Sequence, residues 1–184
     1  MKYYRLLDDI YYPQRWYLGE IIGTDDNWQF TSGKKINEVI HNLRVAVYKD
    51  GEPMDFTTNE AYSIPIVSQK VKNQFSGLKD LQFIPIHIDK KKVDTDFFIM
   101  VVTNIQNCVN EELSEFGKFI ENDPIRPDKS GHYSWFTRLI VNPTNILGID
   151  IFRIEKAENY LVVSEKLKSG LEKVNVTGIS FIEV

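Results

Sequence analysis

The sequence predicts an α+β fold, a single compact domain made mostly of short strands in sheets with about three helices. Three observations carry this. Short extended apolar runs outnumber helical periods, the same strand-serine-helix-strand phrase occurs twice, and the helical segments are not regularly interleaved with strands as a doubly wound sheet requires.

The repeated phrase is Ile66-Val67-Ser68-Gln69-Lys70-Val71-Lys72, echoed by Val162-Val163-Ser164-Glu165-Lys166-Leu167-Lys168. Beyond each serine, apolar residues recur at helical spacing: Val71, Phe75 and Leu78 in the first copy, Leu167, Leu171 and Val174 in the second. Each serine is placed to offer its oxygen to an unpaired N–H of the first helical turn, a contribution of about 1 kcal/mol. Neither copy has the Glu or Gln three residues on that completes a capping box. Both helices run into extended apolar stretches, 83–88 and 179–184. Pro85 lacks the N–H a ladder needs, which predicts an edge or a bulge at that point.

The remaining β signals are Tyr3 to Leu7, Trp16 to Ile22, Leu43 to Tyr48, Phe97 to Thr103, Trp135 to Val141 and Ile151 to Ile154. A third helix is predicted from Asn110, an Ncap candidate, with Leu113, Phe116 and Ile120 on one face. It should stop before Asp123-Pro124, because a residue preceding proline is driven out of the α region. Residues 123–133, with Pro124, Pro127 and Gly131, form the longest loop-like stretch.

At 184 residues the chain fits one domain, 1–184, or two closely joined lobes of about 1–92 and 93–184. The 11 Phe, 9 Tyr and 3 Trp supply enough apolar surface for a core and argue against disorder. The 22 basic residues are nearly balanced by 26 acidic ones, and the dense run Lys90-Lys91-Lys92 is flanked by Asp89, Asp94 and Asp96, so no basic platform for nucleic acid is expected. Asp8 and Asp9 interrupt the N-terminal sequence before any apolar signal segment develops, and the longest apolar run, 97–102, is far shorter than a membrane span. Cys108 is the single cysteine, which excludes an internal disulfide and suits a small buried hydrophobe. These features predict a cytoplasmic protein that does not engage a membrane. Asn175-Val176-Thr177 fits a glycosylation acceptor by chance.

No phosphate loop, dinucleotide fingerprint, zinc motif or nucleophile elbow is present. His41, His87 and His132 are far apart among dissimilar neighbours, so neither a metal site nor a cofactor is expected. One constellation gathers chemistry-bearing residues: Asp128, His132, Tyr133, Trp135 and Arg138, in and after the long loop. Imidazole, phenol and guanidinium suit proton transfer and anion binding. Aromatic and arginine side chains in a loop also suit a protein-binding hot spot. His132, Tyr133, Trp135 and Arg138 are therefore the candidate interface, with a small-molecule-binding module or an enzyme site near Asp128 to Arg138 as the alternative. Asp8 and Asp9 intervene among the tyrosines and Trp16 of the first seventeen residues, which favours core packing and a protein contact over base stacking.

Taken in order, Asp55-Phe56, Ile66 to Lys70, Phe97 to Asn107, Ile151-Phe152-Arg153, Val162 to Lys168 and Thr177-Gly178-Ile179-Ser180-Phe181 are similar to a bacterial family first known only as a domain of unknown function and then assigned as immunity proteins of polymorphic toxin systems. The similarity is strongest from Asp55 to Val184 and most specific at its end. Val109-Asn110 stands where such proteins often carry Leu-Asp. The resemblance implies a non-enzymatic cytoplasmic protein that binds a cognate toxin and neutralises it by occlusion. Assembly as a homodimer is left open, and no catalytic residue is implied.

Overall fold

A computed structural model describes residues 1–38 and 40–184. In chain order its elements are β1 (Tyr3–Asp8), β2 (Tyr17–Ile22), β3 (Arg44–Lys49), β4 (Phe56–Thr58), β5 (Pro65–Ser68), α1 (Gln69–Gln74), β6 (Leu81–Ile88), β7 (Phe97–Val102), β8 (Ile105–Gln106), β9 (Glu115–Lys118), β10 (Tyr133–Arg138), β11 (Ile151–Ile154), β12 (Ala157–Ser164), α2 (Glu165–Lys173) and β13 (Ile179–Glu183). Strands dominate, and among the described residues the α-helices number two rather than three.

The predicted third helix is the correction. Asn110 does begin one turn, its Oδ1 accepting from Leu113 N at 3.2 Å, but Glu115–Lys118 then extends as β9. Two features stop the helix. The Ser114 hydroxyl accepts from Ile140 N at 2.9 Å, fixing that end of the segment to the chain just beyond β10. Gly117, a poor helix former, lies under the Trp135 indole, where a Cβ would collide with the ring.

Six strands form one sheet in the order β2-β3-β6-β7-β5-β4. Glu60 N donates to Leu18 O at 3.0 Å and Leu18 bridges Asn59, so β2 meets the end of β4 and the sheet nearly closes into a barrel. Period-two alternation sorts its side chains. Leu18, Ile21, Val45, Ile66, Ile84, Phe97, Ile99 and Val101 fill the interior, while Val67, Phe98, Met100 and Val102 face outward into a second apolar layer. β7 is buried along its whole length because both faces are covered, which accounts for its unbroken apolar sequence. The Pro85 nitrogen lies where β6 has no β3 partner, since β3 pairing begins at Arg44 and His87.

The second sheet, β13-β1-β12-β11-β8, packs one face against this outer layer through Leu6, Ile151, Leu161 and Val163, with α1 and α2 contributing Val71, Phe75, Leu167 and Leu171. Its other face carries Tyr3, Phe152, Ile154, Tyr160 and Val162 and is covered by Cys108, Leu139, Val141 and Ile146. The sheets trade strands across residue 92: β1 runs between β12 and β13, and β7 runs between β5 and β6. Both repeated phrases therefore share one plan. A hairpin leads through a serine into a helix and returns as a parallel strand, with an antiparallel strand inserted between.

The hairpins are closed alike. Ser68 Oγ donates to Asp55 Oδ1 at 2.7 Å and Ser164 Oγ to Asp150 Oδ1 at 2.6 Å. Lys70 Nζ and Lys166 Nζ reach the second oxygens at 2.7 and 3.1 Å. Ser164 also caps its helix, accepting from Leu167 N at 3.3 Å. Ser68 stands at the Ncap position of α1 but makes no such bond, although its hydroxyl donates to Asp55 as that of Ser164 does to Asp150. Asp55 alone has a further set of partners: Thr177 N and Oγ1 donate to Oδ2 at 3.0 and 3.1 Å, and Asp55 N donates to Thr177 Oγ1 at 2.9 Å. Elsewhere, the buried Arg153 donates to backbone oxygens of Val102 at 3.2 Å, Phe30 at 3.5 Å and Glu158, linking the barrel to the second sheet. Burial lowers its pKa to about 10, which leaves it charged at neutral pH.

Burial opposes ionisation of Asp55, but hydrogen bonds from Lys70, Ser68 and Thr177 outweigh it and hold the carboxyl below its ordinary range. The unfolded carboxyl titrates near ~3.9. Its stabilisation is therefore full above that value and lost as pH falls through the lower folded pKa. Asp55→Ala should destabilise by about 2–4 kcal/mol and Asp150→Ala by roughly half as much, measured by urea unfolding at neutral pH. Asp55→Asn should flatten the acid limb of the stability profile. Equal losses at the two aspartates would show that the Thr177 bonds contribute nothing.

Cys108 is 1% exposed, and burial pushes its thiol up to about 12. Thiolate is therefore scarce at neutral pH, and Ellman's reagent should label native protein no faster than the protein unfolds. Stoichiometric labelling within the mixing time would contradict this.

Candidate functional site

The candidate residues lie on or next to the β9–β10 hairpin, a two-stranded sheet laid against the second sheet's outer layer. Alternation along β10 divides them. Tyr133 and Phe136 turn inward, where Phe116, Tyr133, Phe136 and Tyr160 form a chain of ring contacts with centroids 4.8–5.2 Å apart along the successive pairs Phe116–Tyr133, Tyr133–Phe136 and Phe136–Tyr160. Trp135 lies on Gly117 and is 51% exposed. A register shift between Tyr133 and Trp135 separates the two rings onto different sides.

The polar groups are committed locally. Tyr133 Oη donates to Glu111 Oε1 at 2.6 Å, and burial followed by that carboxylate pushes the phenol above its ordinary range. Lys118 Nζ meets the same oxygen at 2.6 Å, and Lys118 and Tyr133 together hold Glu111 below the usual carboxylate range. Arg138 pairs with Glu115 at 3.1 Å across the strands. Asp128 forms a two-point ion pair with Arg126, at 3.0 and 2.9 Å, on the exposed loop. His132 Nδ1 is 4.0 Å from Glu158 Oε2. Thus the sequence-selected residues share a segment without converging on one point, and each ionised pair screens its own charge.

Two cavities, of about 520 and 210 Å³, lie elsewhere. The first is beside His87 and Lys91, and the second is between Gly77–Asp80 and Gly148–Ile151. Among the described residues, no group of three or more His, Cys, Asp and Glu is placed to hold a metal ion. No helix among them is long and apolar enough to cross a membrane.

Sequence reasoning passed over three residues of this segment. Leu113, Ile120 and Ile125 are exposed, the last at 84%. The helical spacing that puts Leu113 and Ile120 on one face of the absent helix makes the apolar signal visible but attaches it to the wrong period. The aromatic N-terminus splits as well: Tyr3 and Trp16 are core residues, Trp16 Nε1 donating to Thr57 Oγ1 at 2.8 Å, whereas Tyr11 is exposed.

Comparison with known proteins gives one family. The model described as Immunity protein family (Imm11) matches residues 22–184, so the similarity extends past Asp55 toward the N-terminus and takes in most of the barrel. No curated protein matches the chain. With every element from β3 to β13 inside the match, the chain belongs to the Imm11 immunity protein family.

Proposed function

We propose that this protein neutralises a cognate toxin in the cytoplasm by direct occlusion, with the 113–138 segment as the contact surface and Trp135 at its centre. Family membership supplies the toxin-immunity role. The carrying observation for the surface is the exposed Trp135 ring fixed over Gly117, on a hairpin closed by Phe119 N to His132 O at 2.9 Å and tied into the fold through Tyr133 N to Lys156 O at 3.0 Å. A preorganised aromatic anchor loses little conformational freedom on binding. Leu113, Ile120 and Ile125 are exposed apolar residues of the same segment, and the Arg138–Glu115 pair adds a polar contact across its strands. A standard interface buries roughly 800 Å² per partner, so neighbouring loops would join this patch in the complex. Tyr133 and His132 support the patch from the hairpin's inner side. Binding, and not chemistry, is favoured because Tyr133, Arg138 and Asp128 already spend their polar groups on Glu111, Glu115 and Arg126.

Co-expression with the toxin domain encoded beside this chain should rescue growth, and the purified pair should titrate to a complex. Trp135→Ala should weaken the complex by about 2 kcal/mol or more, roughly thirtyfold in Kd, with an unchanged melting profile. Arg138→Ala should cost less, since its charge is paired and exposed. A wild-type protein that neither rescues growth nor binds at micromolar concentration would sink the reading.

A further inference from the structure

The two Asp-Ser-Lys hairpin closures make an internal comparison possible. At Asp55 the seam beside the hairpin is filled by residues 175–178. Thr177 gives its N–H and hydroxyl to Oδ2 and its carbonyl to Phe56 N at 3.1 Å, and Lys70 Nζ bonds Asn175 O at 3.2 Å. Packing there is tight enough that a Cβ on Gly178 would collide with Phe56 O. The turn at 77–80 is the counterpart of 175–178: Thr103 N donates to Asp80 O, as Asp9 N does to Gly178 O, both at 3.0 Å.

At Asp150 the matching seam stands open. The turn at 77–80 is separated from Gly148–Ile151 by the notch of about 210 Å³, and beyond the adjoining residues of the chain a Cβ built on Gly77 or on Gly148 meets nothing within 4 Å among the described residues. Among the described residues, Asp150 Oδ2 receives only Lys166, whose side chain is 80% exposed, and no bond crosses from the 77–80 turn to Ile151 N, the counterpart of Phe56 N. One hairpin end thus has its acceptor and donor covered by a threonine-bearing turn. Its sister presents the same frame, built by the same Ser and Lys contacts, with that place empty.

We propose that the Asp150 notch is a second contact site for the partner protein, receiving a turn whose threonine or serine donates N–H and hydroxyl to Asp150 and whose carbonyl accepts from Ile151 N, as Thr177 does at Asp55. Naming the toxin as that partner rests on the toxin-binding reading; the site's chemistry does not. Leu147, exposed beside the notch, adds apolar contact for the incoming turn.

Two experiments on the full chain separate the claims. In the first, a capped synthetic peptide with the sequence of residues 174–180 is titrated into isotopically labelled protein, followed by amide shifts. Shifts confined to residues 77–80 and 148–151, and lost with the Thr177→Val peptide, are expected. Silence at those amides, or equal shifts with both peptides, overturns the site. In the second, Asp150→Asn and the notch-filling Lys79→Trp are titrated with the co-encoded toxin domain. At least about a tenfold rise in Kd is expected for each, from the loss of hydrogen bonds to a charged group or their obstruction. Lys79 is exposed on the rim, so its variant tests the notch even if Asp150→Asn fails to fold. Wild-type Kd in both variants overturns the notch as a toxin contact while leaving the hairpin interface standing. Absence of any complex with the wild type overturns toxin binding, and the peptide titration then decides the site by itself.

Discussion

The Asp55 carboxylate joins parts of the chain 122 residues apart, and much of the fold leans on that one group. It sits where the first hairpin ends, holds the serine that leads into α1, and takes the backbone N–H and hydroxyl of Thr177 just before β13. A carboxylate so placed is stable only while its donors remain aligned, because removing them would leave a half-buried charge without water or partners. The barrel, the helix pair and the last strand are thereby fixed relative to one another by electrostatics as well as by apolar contact.

Around this node the chain solves a packing problem. The barrel must fill its interior and also bury an outer face, so β7 reads as apolar throughout and divides its side chains between two layers. The second sheet does the same with β11 and β12, whose residues alternate between the shared layer and the layer under Cys108 and Ile146. Neither helix is long enough to be stable alone, and each is held by the sheets on which Val71, Phe75, Leu167 and Leu171 rest. Arg153 closes the junction from inside, its charge met by backbone carbonyls instead of a carboxylate.

Immunity by occlusion, as proposed, asks for a rigid surface with a few well-placed anchors, and the chain pairs the strand expected at Trp135 with a second strand, β9, where a helix was expected. The hairpin carrying Trp135 is stiffened by its aromatic underside, Phe116, Tyr133 and Phe136, and by a glycine that lets the indole lie flat against the neighbouring strand. The near-duplicate seams at Asp55 and Asp150 show how one local design is finished in two ways, filled by the chain itself in one place and open in the other.

The sequence by itself determined the predominance of short strands, both strand-serine-helix-strand units, most strand positions, the buried cysteine and the family resemblance, because each rests on local periodicity or on residues close together in the chain. The third helix was misread for the same reason. Leu113, Phe116 and Ile120 have helical spacing, but Ser114 hooked to Ile140 and Gly117 under Trp135 are contacts with β10 and the chain just beyond it, and those decide the outcome. The capping bond expected of Ser68 is also absent, while Ser164, whose hydroxyl meets Asp150 as that of Ser68 meets Asp55, makes its own. The exchange of β1 and β7 between the sheets, the near-closed barrel, the Asp55–Thr177 latch and the open Asp150 notch were decided only by tertiary structure. Each depends on which distant segments meet, and a pattern of short-range apolar spacing carries no record of that pairing.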